Sequence, residues 1–238
     1  MDKLITIVPA AGAGKRLGLG KNKAFALLKG IPLIVHCLKM LASTELVDRC
    51  IVVFAPGEIE EGQKLLAAYQ KTYFPDLPFT VVAGGKERQD SVTNALLALE
   101  TFEGYIAVHD GARPFAGKDV FARTWAAARK YGAAIAAVPV KNTIKIINTE
   151  GIVISTPDRN ALQAVQTPQI FRADLLKKAY AYLSEHPTVV TDDASVVELY
   201  GSQVAVAMGR YENIKITTPE DLTFAEYLLE LEEQGNGK

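Results

Sequence analysis

Residues Leu4 to Lys23 read LITIVPAAGAGKRLGLGKNK, and this stretch predicts most about the fold. An apolar run predicts a buried strand, and after Pro9 it continues into a loop of alanine and glycine. The basic residues of this loop are Lys15, Arg16, Lys21 and Lys23. Glycine permits positive φ and leaves backbone N–H groups accessible, so such a loop can wrap around an anion. We interpret it as a phosphate-binding loop, with a glycine-rich turn and solvated lysines as the alternative.

Two common phosphate-binding motifs do not fit this loop. The dinucleotide fingerprint requires glycine at position 17, which is Leu17. The Walker A loop requires glycine at position 9 and Ser or Thr after the lysine, whereas the chain has Pro9 and Arg16. The sequence therefore predicts a phosphate loop of another type.

The composition is that of an ordinary globular protein. With 238 residues, 49% of them hydrophobic, the chain can bury a large core. Its net charge of −1 provides no broad basic field, so we expect no nucleic-acid partner. Cys37 and Cys50 lack metal-ligand spacing and are expected to be buried, reduced thiols of a cytoplasmic protein. We expect no signal peptide and no membrane-spanning segment.

Strand-like and helical patterns alternate along the chain. Strands are predicted at 49–55, 79–83, 105–108, 133–138 and 203–207, and helices at 31–41, 58–70, 90–99, 118–130, 173–184 and from Pro219. The alternation predicts an α/β fold, a doubly wound, mostly parallel sheet, in a single domain at 1–238. Ligands bind at the carboxyl ends of such strands, so the chemistry should lie in the loops after Val8, Val82, Val108 and Val138.

The loop after Val82 reads AGGKERQDSV and has two glycines for close approach, with Arg88 and Ser91 at a helix start. Simple helix capping by Asp90 or Ser91 is the alternative. The loop after Val108 reads HDGARPF. Here Asp110 can hold Mg²⁺, which usually takes one or two protein carboxylates, or it can cap a turn. His109 is expected to be structural.

The run VKNTIKIINTEGIVIST at 140–156 changes the pattern. Two β-branched segments flank Asn148 to Gly151, which indicates a hairpin with no linking helix. Isolated hairpins are marginal in water. We predict a β-arm at about 139–157 that projects and packs against a second subunit, giving a homodimer. Beyond it, Arg159 and Lys215, the latter predicted to lie in a strand, suit a substrate phosphate, with surface ion pairs as the alternative.

Six motifs in this order closely resemble those of the 2-C-methyl-D-erythritol 4-phosphate cytidylyltransferases of the non-mevalonate isoprenoid pathway. They are PAAGAGKRLG with Lys23, GGKERQDSV, HDGARP, DRNALQAVQTPQIF, TDDAS and ENIKITTPEDL, and they extend from Ile5 to about Ala225. The resemblance implies a Rossmann-like nucleotidyltransferase fold, Mg²⁺ as cofactor, and CTP and a sugar-alcohol phosphate as substrates.

The resemblance also implies a role for individual residues. Arg16 and Lys23 would neutralise the charge of the transition state, and Arg159 and Lys215 would orient the attacking phosphate. The nucleotide would be held by Ala10, Ala11, Gly12, Ala13, Gly14, Gly84, Gly85, Ser91, Asp110 and Gly111, with Asp110 also at the metal. The sugar phosphate would meet Thr167 and Thr191, and Arg113 and Thr143 would reach the neighbouring subunit's site.

Three positions depart from the family's pattern. Asn22 replaces a common proline, which could loosen the loop that positions Lys23, whereas Gly111 and Glu212 are mild changes. Ribitol 5-phosphate cytidylyltransferases, other sugar nucleotidyltransferases and a non-catalytic nucleotide-binding module are the alternatives. The segments PAAG, HDGARP and TDDAS favour the methylerythritol branch over the ribitol branch. The presence of Arg16, Lys23 and Asp110 counts against the binding module.

Overall fold

The computed structural model describes residues 2–12, 14 and 22–235. The strands within these ranges are β1 (Leu4–Pro9), β2 (Leu27–Leu28), β3 (Ile31–Pro32), β4 (Arg49–Phe54), β5 (Phe79–Ala83), β6 (Tyr105–Val108), β7 (Ala133–Pro139), β8 (Ile146–Ile147), β9 (Val153–Ser155), β10 (Gln163–Arg172) and β11 (Ala205–Met208). The helices are α1 (Leu33–Ser43), α2 (Ile59–Tyr73), α3 (Arg88–Leu97), α4 (Gly117–Tyr131), α5 (Ala173–Glu185), α6 (Asp193–Leu199) and α7 (Pro219–Gly235). Ala13, predicted to hold the nucleotide, and Arg16, predicted to neutralise the charge of the transition state, lie outside the described residues.

The central sheet has seven strands in the order β11-β7-β10-β6-β1-β4-β5. Neighbouring strands are parallel except that β10 runs antiparallel to both β6 and β7. The predicted mostly parallel sheet is therefore confirmed. Strand β10 was not predicted, because proline cannot donate a ladder hydrogen bond and the Gln-Thr-Pro-Gln segment therefore resembles a loop. The register shift between Val165 and Gln169 accommodates this segment within the strand.

Strand β1 is buried on both faces, which explains its continuous apolar sequence. Leu4 and Val8 belong to a core cluster with residues of α1, α2 and α4. Ile5 and Ile7 belong to a second cluster with residues of α3, α5 and α6. Successive side chains of a strand point to opposite faces, so this one strand joins two helical layers and directs its following loop to the edge of the sheet.

The predicted helices are all present, with ends within three residues of the expected ones, and the predicted strands fit similarly well. Besides β10 and the two-residue strands β2 and β3, which were not predicted, three details were wrong or missed. Helix α6 was not assigned, although Asp192 and Ser195 form a capping box at its start. The cap of α3 is Glu87 and not Asp90 or Ser91. Lys215 lies in an irregular segment and not in a strand.

The hairpin β8-β9 forms a sheet of its own, separate from the central one, as predicted. The Asn148 side chain accepts the N–H groups of Glu150 and Ile152, and Gly151 has a φ of +81°, which closes the turn. Six apolar side chains of the arm are 39–64% exposed in one chain: Ile144, Ile146, Ile147, Ile152, Val153 and Ile154.

Both cysteines are free and buried, as expected. Among the described residues, no helix has the length and apolar character needed to cross a membrane.

Candidate active site

The loops after β1, β5 and β6 meet at the carboxyl edge of the sheet and form a cavity of about 380 Å³. Its walls include these predicted residues: Ala11, Gly12, Lys23, Gly85, Ser91, Asp110, Gly111 and Lys215. Three of the four loops in which the sequence predicts the chemistry thus line one cavity, at the edge where such sheets bind ligands. The fourth loop, after β7, leads into the arm, and none of its described residues lines this cavity.

Two glycines let the β5 loop approach the β1 loop closely. A Cβ atom at Gly84 would lie 2.9 Å from both the Cβ of Ala11 and the Oγ of Ser91. A Cβ at Gly85 would lie 2.2 Å from the Cβ of Asp90. The Gly85 N–H donates to the Ser91 hydroxyl (3.1 Å), which itself donates to the carbonyl of Glu87 (3.1 Å). Any residue other than glycine at position 84 or 85 would therefore displace the part of the cavity wall that the β5 loop forms.

Asp110 is the centre of a charge cluster. Its Oδ2 lies 3.0 Å from the Lys215 Nζ and 3.1 Å from the Arg113 Nε. Burial alone would raise the pKa of Asp110, but Lys215, Arg113 and Arg88 outweigh burial and hold this pKa well below its usual range. Asp110 is therefore an ionised carboxylate at neutral pH and is unsuited to act as a general base.

The chain around Lys215 is fixed by backbone contacts from both sides. The Ile216 N–H donates to the Ala112 carbonyl (2.9 Å), and the Ile216 side chain is buried in a third core cluster beneath α7. The Asn213 carbonyl accepts from the Arg113 guanidinium (2.8 Å). These contacts tie the segment before α7 to the loop after β6, so an irregular segment can hold Lys215 as firmly as a strand would.

Behind Asp110, a chain of hydrogen bonds connects three elements. The Asp110 N–H donates to the Thr167 hydroxyl (3.0 Å), which contacts the Nδ1 of His109 (3.0 Å). The His109 Nε2 contacts the carbonyl of Arg113 (2.9 Å). A carbonyl only accepts, so Nε2 carries the proton and Nδ1 accepts from Thr167. His109 is thus a structural residue, as expected, and it orients Thr167.

His109 makes the stability of the protein depend on pH. Burial lowers the pKa of His109 from 6.5 to about 4, against smaller opposing effects of the Arg113 carbonyl and Asp110. Between these values the unfolded chain binds more protons than the folded one, so stability falls as the pH is lowered from about 6.5 to 4. We expect this group to contribute about 3 kcal/mol to the loss. Denaturant unfolding across this range should show a shallower pH dependence for His109→Gln than for wild type, and equal slopes would contradict the assignment.

A second cavity of about 310 Å³ shares Arg88, Asp110 and Lys215 with the first. Thr167 and Thr191, both predicted to meet the sugar phosphate, line this second cavity, as does Arg113. The two cavities therefore adjoin at one carboxylate and its cations. This arrangement provides two adjoining compartments around one cluster of charges.

Arg88 was placed at a helix start by the sequence but was given no role. Its guanidinium lies 2.6 Å from Oδ2 of Asp193, and Oδ1 of that carboxylate accepts from the Tyr180 hydroxyl (2.7 Å). Burial alone would lower the pKa of Arg88, but Asp193 keeps it above its usual value. Burial and Asp193 raise the pKa of Tyr180 well above normal. This buried network joins the start of α3 to the start of α6 beside both cavities.

Other predicted residues lie outside the cavities. Ala10 is buried below the first cavity, and its N–H donates to the Val53 carbonyl (2.8 Å). Gly14 has a φ of +60°, the left-handed conformation expected of it. Thr143 is exposed in the arm, and Arg159 donates to the Lys141 carbonyl (2.9 Å) at its base. Within one chain, neither Thr143 nor Arg159 reaches the cavities.

The fold, and the cation-rich cavity next to the predicted phosphate-binding loop, define the class of α/β nucleotidyltransferases. A model of the 2-C-methyl-D-erythritol 4-phosphate cytidylyltransferase family matches residues 4–231, and the chain belongs to this family. The enzyme of that name from Bacillus mycoides is 44% identical over 228 residues, which cover 96% of this chain and 98% of the relative. The Alkaliphilus metalliredigens enzyme is 44% identical over 234 residues, which cover 98% and 96%. The resemblance drawn from the six motifs is confirmed.

Solved structures of the same family share the fold. The 4-diphosphocytidyl-2C-methyl-D-erythritol synthase of Anaerococcus prevotii matches with a TM-score of 0.82 at 31% identity, over 96% of this chain and 99% of that one. The 2-C-methyl-D-erythritol 4-phosphate cytidylyltransferase of Thermus thermophilus matches with a TM-score of 0.75 at 30% identity, over 95% and 98%.

Proposed function

We propose that the chain transfers the cytidylyl group of CTP to 2-C-methyl-D-erythritol 4-phosphate, with release of pyrophosphate, as a step of isoprenoid precursor synthesis. Family membership supports the reaction. The observation that supports its chemistry is the ionised Asp110 at the junction of two cavities, with Lys215, Arg113 and Arg88 around it. We also propose that residues 1–238 act as a single cytidylyltransferase domain in the cytoplasm, which the two free thiols support.

The first cavity is the proposed CTP site. Gly84, Gly85 and Ser91 would hold the base, the loop from Ala10 to Gly14 would hold the phosphates, and Asp110 and Gly111 would contact the ribose. Backbone N–H groups and cations suit a triphosphate. The two loops approach each other closely at Gly84 and Gly85, and a planar base would lie against this part of the cavity wall. Thr167, Thr191 and Arg113 of the second cavity would bind the acceptor.

The chemistry requires alignment and positive charge more than proton transfer. A phosphate monoester is already a nucleophile, so it can attack the α-phosphorus of CTP without a general base. This fits a site in which Asp110 is ionised and His109 is a buried neutral group. Lys23 and Arg16 would stabilise the charge that develops at the α-phosphate. Lys215, which lines both cavities, would orient the attacking phosphate.

Asp110 fits the requirements of a Mg²⁺ ligand. Both of its ion pairs use Oδ2, so Oδ1 is the atom that would bind the ion. Mg²⁺ takes one or two protein carboxylates and completes its coordination with phosphates and water. This agrees with a site in which the described residues contain no group of three or more His, Cys, Asp or Glu ligands. When bound, the ion would neutralise part of the triphosphate charge.

The arm is the proposed dimer contact. Six exposed β-branched side chains on a separate hairpin form an apolar surface that a single chain leaves in water. Thr143 and Arg159 lie on and beside this arm, away from their own cavities, so they would serve catalysis only in the neighbouring subunit's site. Arg113 differs, because it contacts Asp110 of its own chain.

Charges on the arm should dissociate this dimer. Ile147 and Val153 face each other across the hairpin, so Ile147→Glu with Val153→Lys places opposite charges together and preserves the strand pairing. We expect wild type to sediment as a dimer and the double variant as an inactive monomer. Leu97→Lys, which adds a charge at a still more exposed apolar residue of α3, is the control and should remain dimeric. A double variant that stays dimeric would exclude the arm as the contact.

The function is tested by pyrophosphate release with CTP and Mg²⁺, in parallel with 2-C-methyl-D-erythritol 4-phosphate and ribitol 5-phosphate. We expect release with the first acceptor alone. Release with ribitol 5-phosphate alone would assign the chain to another acceptor, and no release with either would favour a nucleotide-binding module. Omission of Mg²⁺ in the presence of a chelator should abolish release.

A further inference from the structure

Asn22 is buried, with 4% of its surface exposed, and its side-chain amide makes three hydrogen bonds. The Nδ2 donates to the Ala10 carbonyl (2.6 Å) and to the Oε2 of Glu58 (2.6 Å). The Oδ1 accepts the N–H of Ala24 (2.9 Å). Both donors and the acceptor of one side chain are therefore used, and they join the end of β1 to a short turn that begins at Lys23.

This turn, Lys23–Phe25, is a single 3₁₀ turn capped by Asn22. Its other end is also fixed, because Phe25 stacks on Phe54 at the end of β4 with ring centroids 5.4 Å apart. Glu58 follows β4 in a second short turn, Pro56–Glu58. Asn22 and Glu58 thus anchor the backbone of Lys23 to the carboxyl ends of β1 and β4, where the proposed nucleotide site lies.

The side chain of Lys23 extends from this turn into the first cavity. A Cβ atom at Gly12 would lie 4.0 Å from the Cε of Lys23, so the Lys23 side chain passes close to Gly12 at the wall of this cavity. A backbone shift at residue 22 would move this cation relative to the loop. Misplacement of a catalytic group by about 1 Å can reduce a rate by roughly 100-fold.

We propose that Asn22 and Glu58 form a clamp that sets the position of Lys23 for cytidylyl transfer, with Asn22 as a positioning residue. The proposal rests on the proposed function, in which Lys23 stabilises the transition state. It replaces the sequence expectation that Asn22 loosens the loop. The two hydrogen bonds donated by Asn22 fix the turn where a proline would only restrict its backbone.

The test uses Asn22→Asp, which keeps an acceptor for the Ala24 N–H but loses both donors and faces the carboxylate of Glu58. We expect kcat for pyrophosphate release to fall by roughly 10- to 100-fold, with a much smaller change in KM for CTP. Asn22→Ala and Glu58→Ala should show the same direction. Glu58→Gln added to Asn22→Asp should recover part of kcat, since the introduced amide can donate to the introduced carboxylate. Glu60→Gln, at an exposed neighbour paired with Lys64, is the control and should leave kcat unchanged.

The decisive comparison repeats Asn22→Asp in a Lys23→Ala background under single-turnover conditions. If Asn22 acts through Lys23, Asn22→Asp lowers the rate little further once Lys23 is alanine, because the effects of coupled residues are not additive. An equal fractional loss in both backgrounds, or an unchanged kcat in Asn22→Asp, would overturn the proposal. Thermal unfolding of each variant shows whether a rate loss follows loss of the fold, which would also overturn it. An inactive wild type would overturn the proposed function and this proposal together, whereas an active wild type with a fully active Asn22→Asp overturns this proposal alone.

Discussion

Replacement of Lys23 by alanine is expected to lower kcat by roughly 100- to 1,000-fold while the KM for CTP changes far less. Lys23 lines the first cavity close to Gly12, where we expect negative charge to grow as the acceptor phosphate attacks. A cation that acts mainly on charge present only in the transition state affects the rate more than ground-state binding. Steady-state and single-turnover pyrophosphate release, with CTP affinity measured by calorimetry, separate the two effects.

A matched control for this substitution is Lys29→Ala. Lys29 lies six positions later and forms an ion pair with Glu230 (3.0 Å) on α7, outside the cavity. Its removal should leave kcat unchanged. Arg16→Ala is expected to resemble Lys23→Ala, although Arg16 lies outside the described residues. Equal losses in CTP affinity and in rate would show that Lys23 binds substrate and transition state alike, contrary to the proposed role.

The sheet and the loops that carry the site could be predicted because their signals are local. The apolar runs mark strands, and glycine pairs such as Gly84 and Gly85 mark a close approach within a few residues of the strand end. The topology of parallel strands then brings the loops after β1, β5 and β6 to one edge. Ser91 and Asp110 could be predicted for the same reason, since each lies in the segment that follows such a strand.

The remaining features depend on partners that are distant in the sequence. Asn22 meets Glu58 over a separation of 36 residues, and Arg88 meets Asp193 over 105. Neither pairing leaves a pattern in the neighbouring sequence, so Asn22 was interpreted as a loosening substitution and Arg88 received no role. Lys215 was assigned to a strand because its apolar neighbours alternate, whereas Ile216 is buried beneath α7 and not in the sheet. The capping box of α6 was a local signal that was available and was not used.

Replacement of Arg88 by methionine is expected to lower the free energy of unfolding by about 3–5 kcal/mol. Asp193 is fully buried, whereas the Arg88 side chain is 32% exposed. Without Arg88, the Asp193 carboxylate keeps, among the described residues, the Tyr180 hydroxyl as its one side-chain partner and cannot gain hydration where it lies. An uncompensated buried charge of this kind is more costly than the loss of the ion pair's own attraction.

The difference in exposure between Arg88 and Asp193 also predicts which of the two substitutions costs more stability. Asp193→Asn keeps one acceptor oxygen, removes the buried charge and leaves an arginine that can reach water, so its loss of stability should be smaller than that of Arg88→Met. Arg172→Met is the matched control, because Arg172 pairs with Asp174 at the surface and such pairs contribute about 0–1 kcal/mol. Urea unfolding of the three variants at neutral pH gives the order directly. If Asp193→Asn were the more destabilising change, the burial of the carboxylate would not be the dominant contribution, and the network would stabilise the fold mainly by restraining Arg88 between the two cavities.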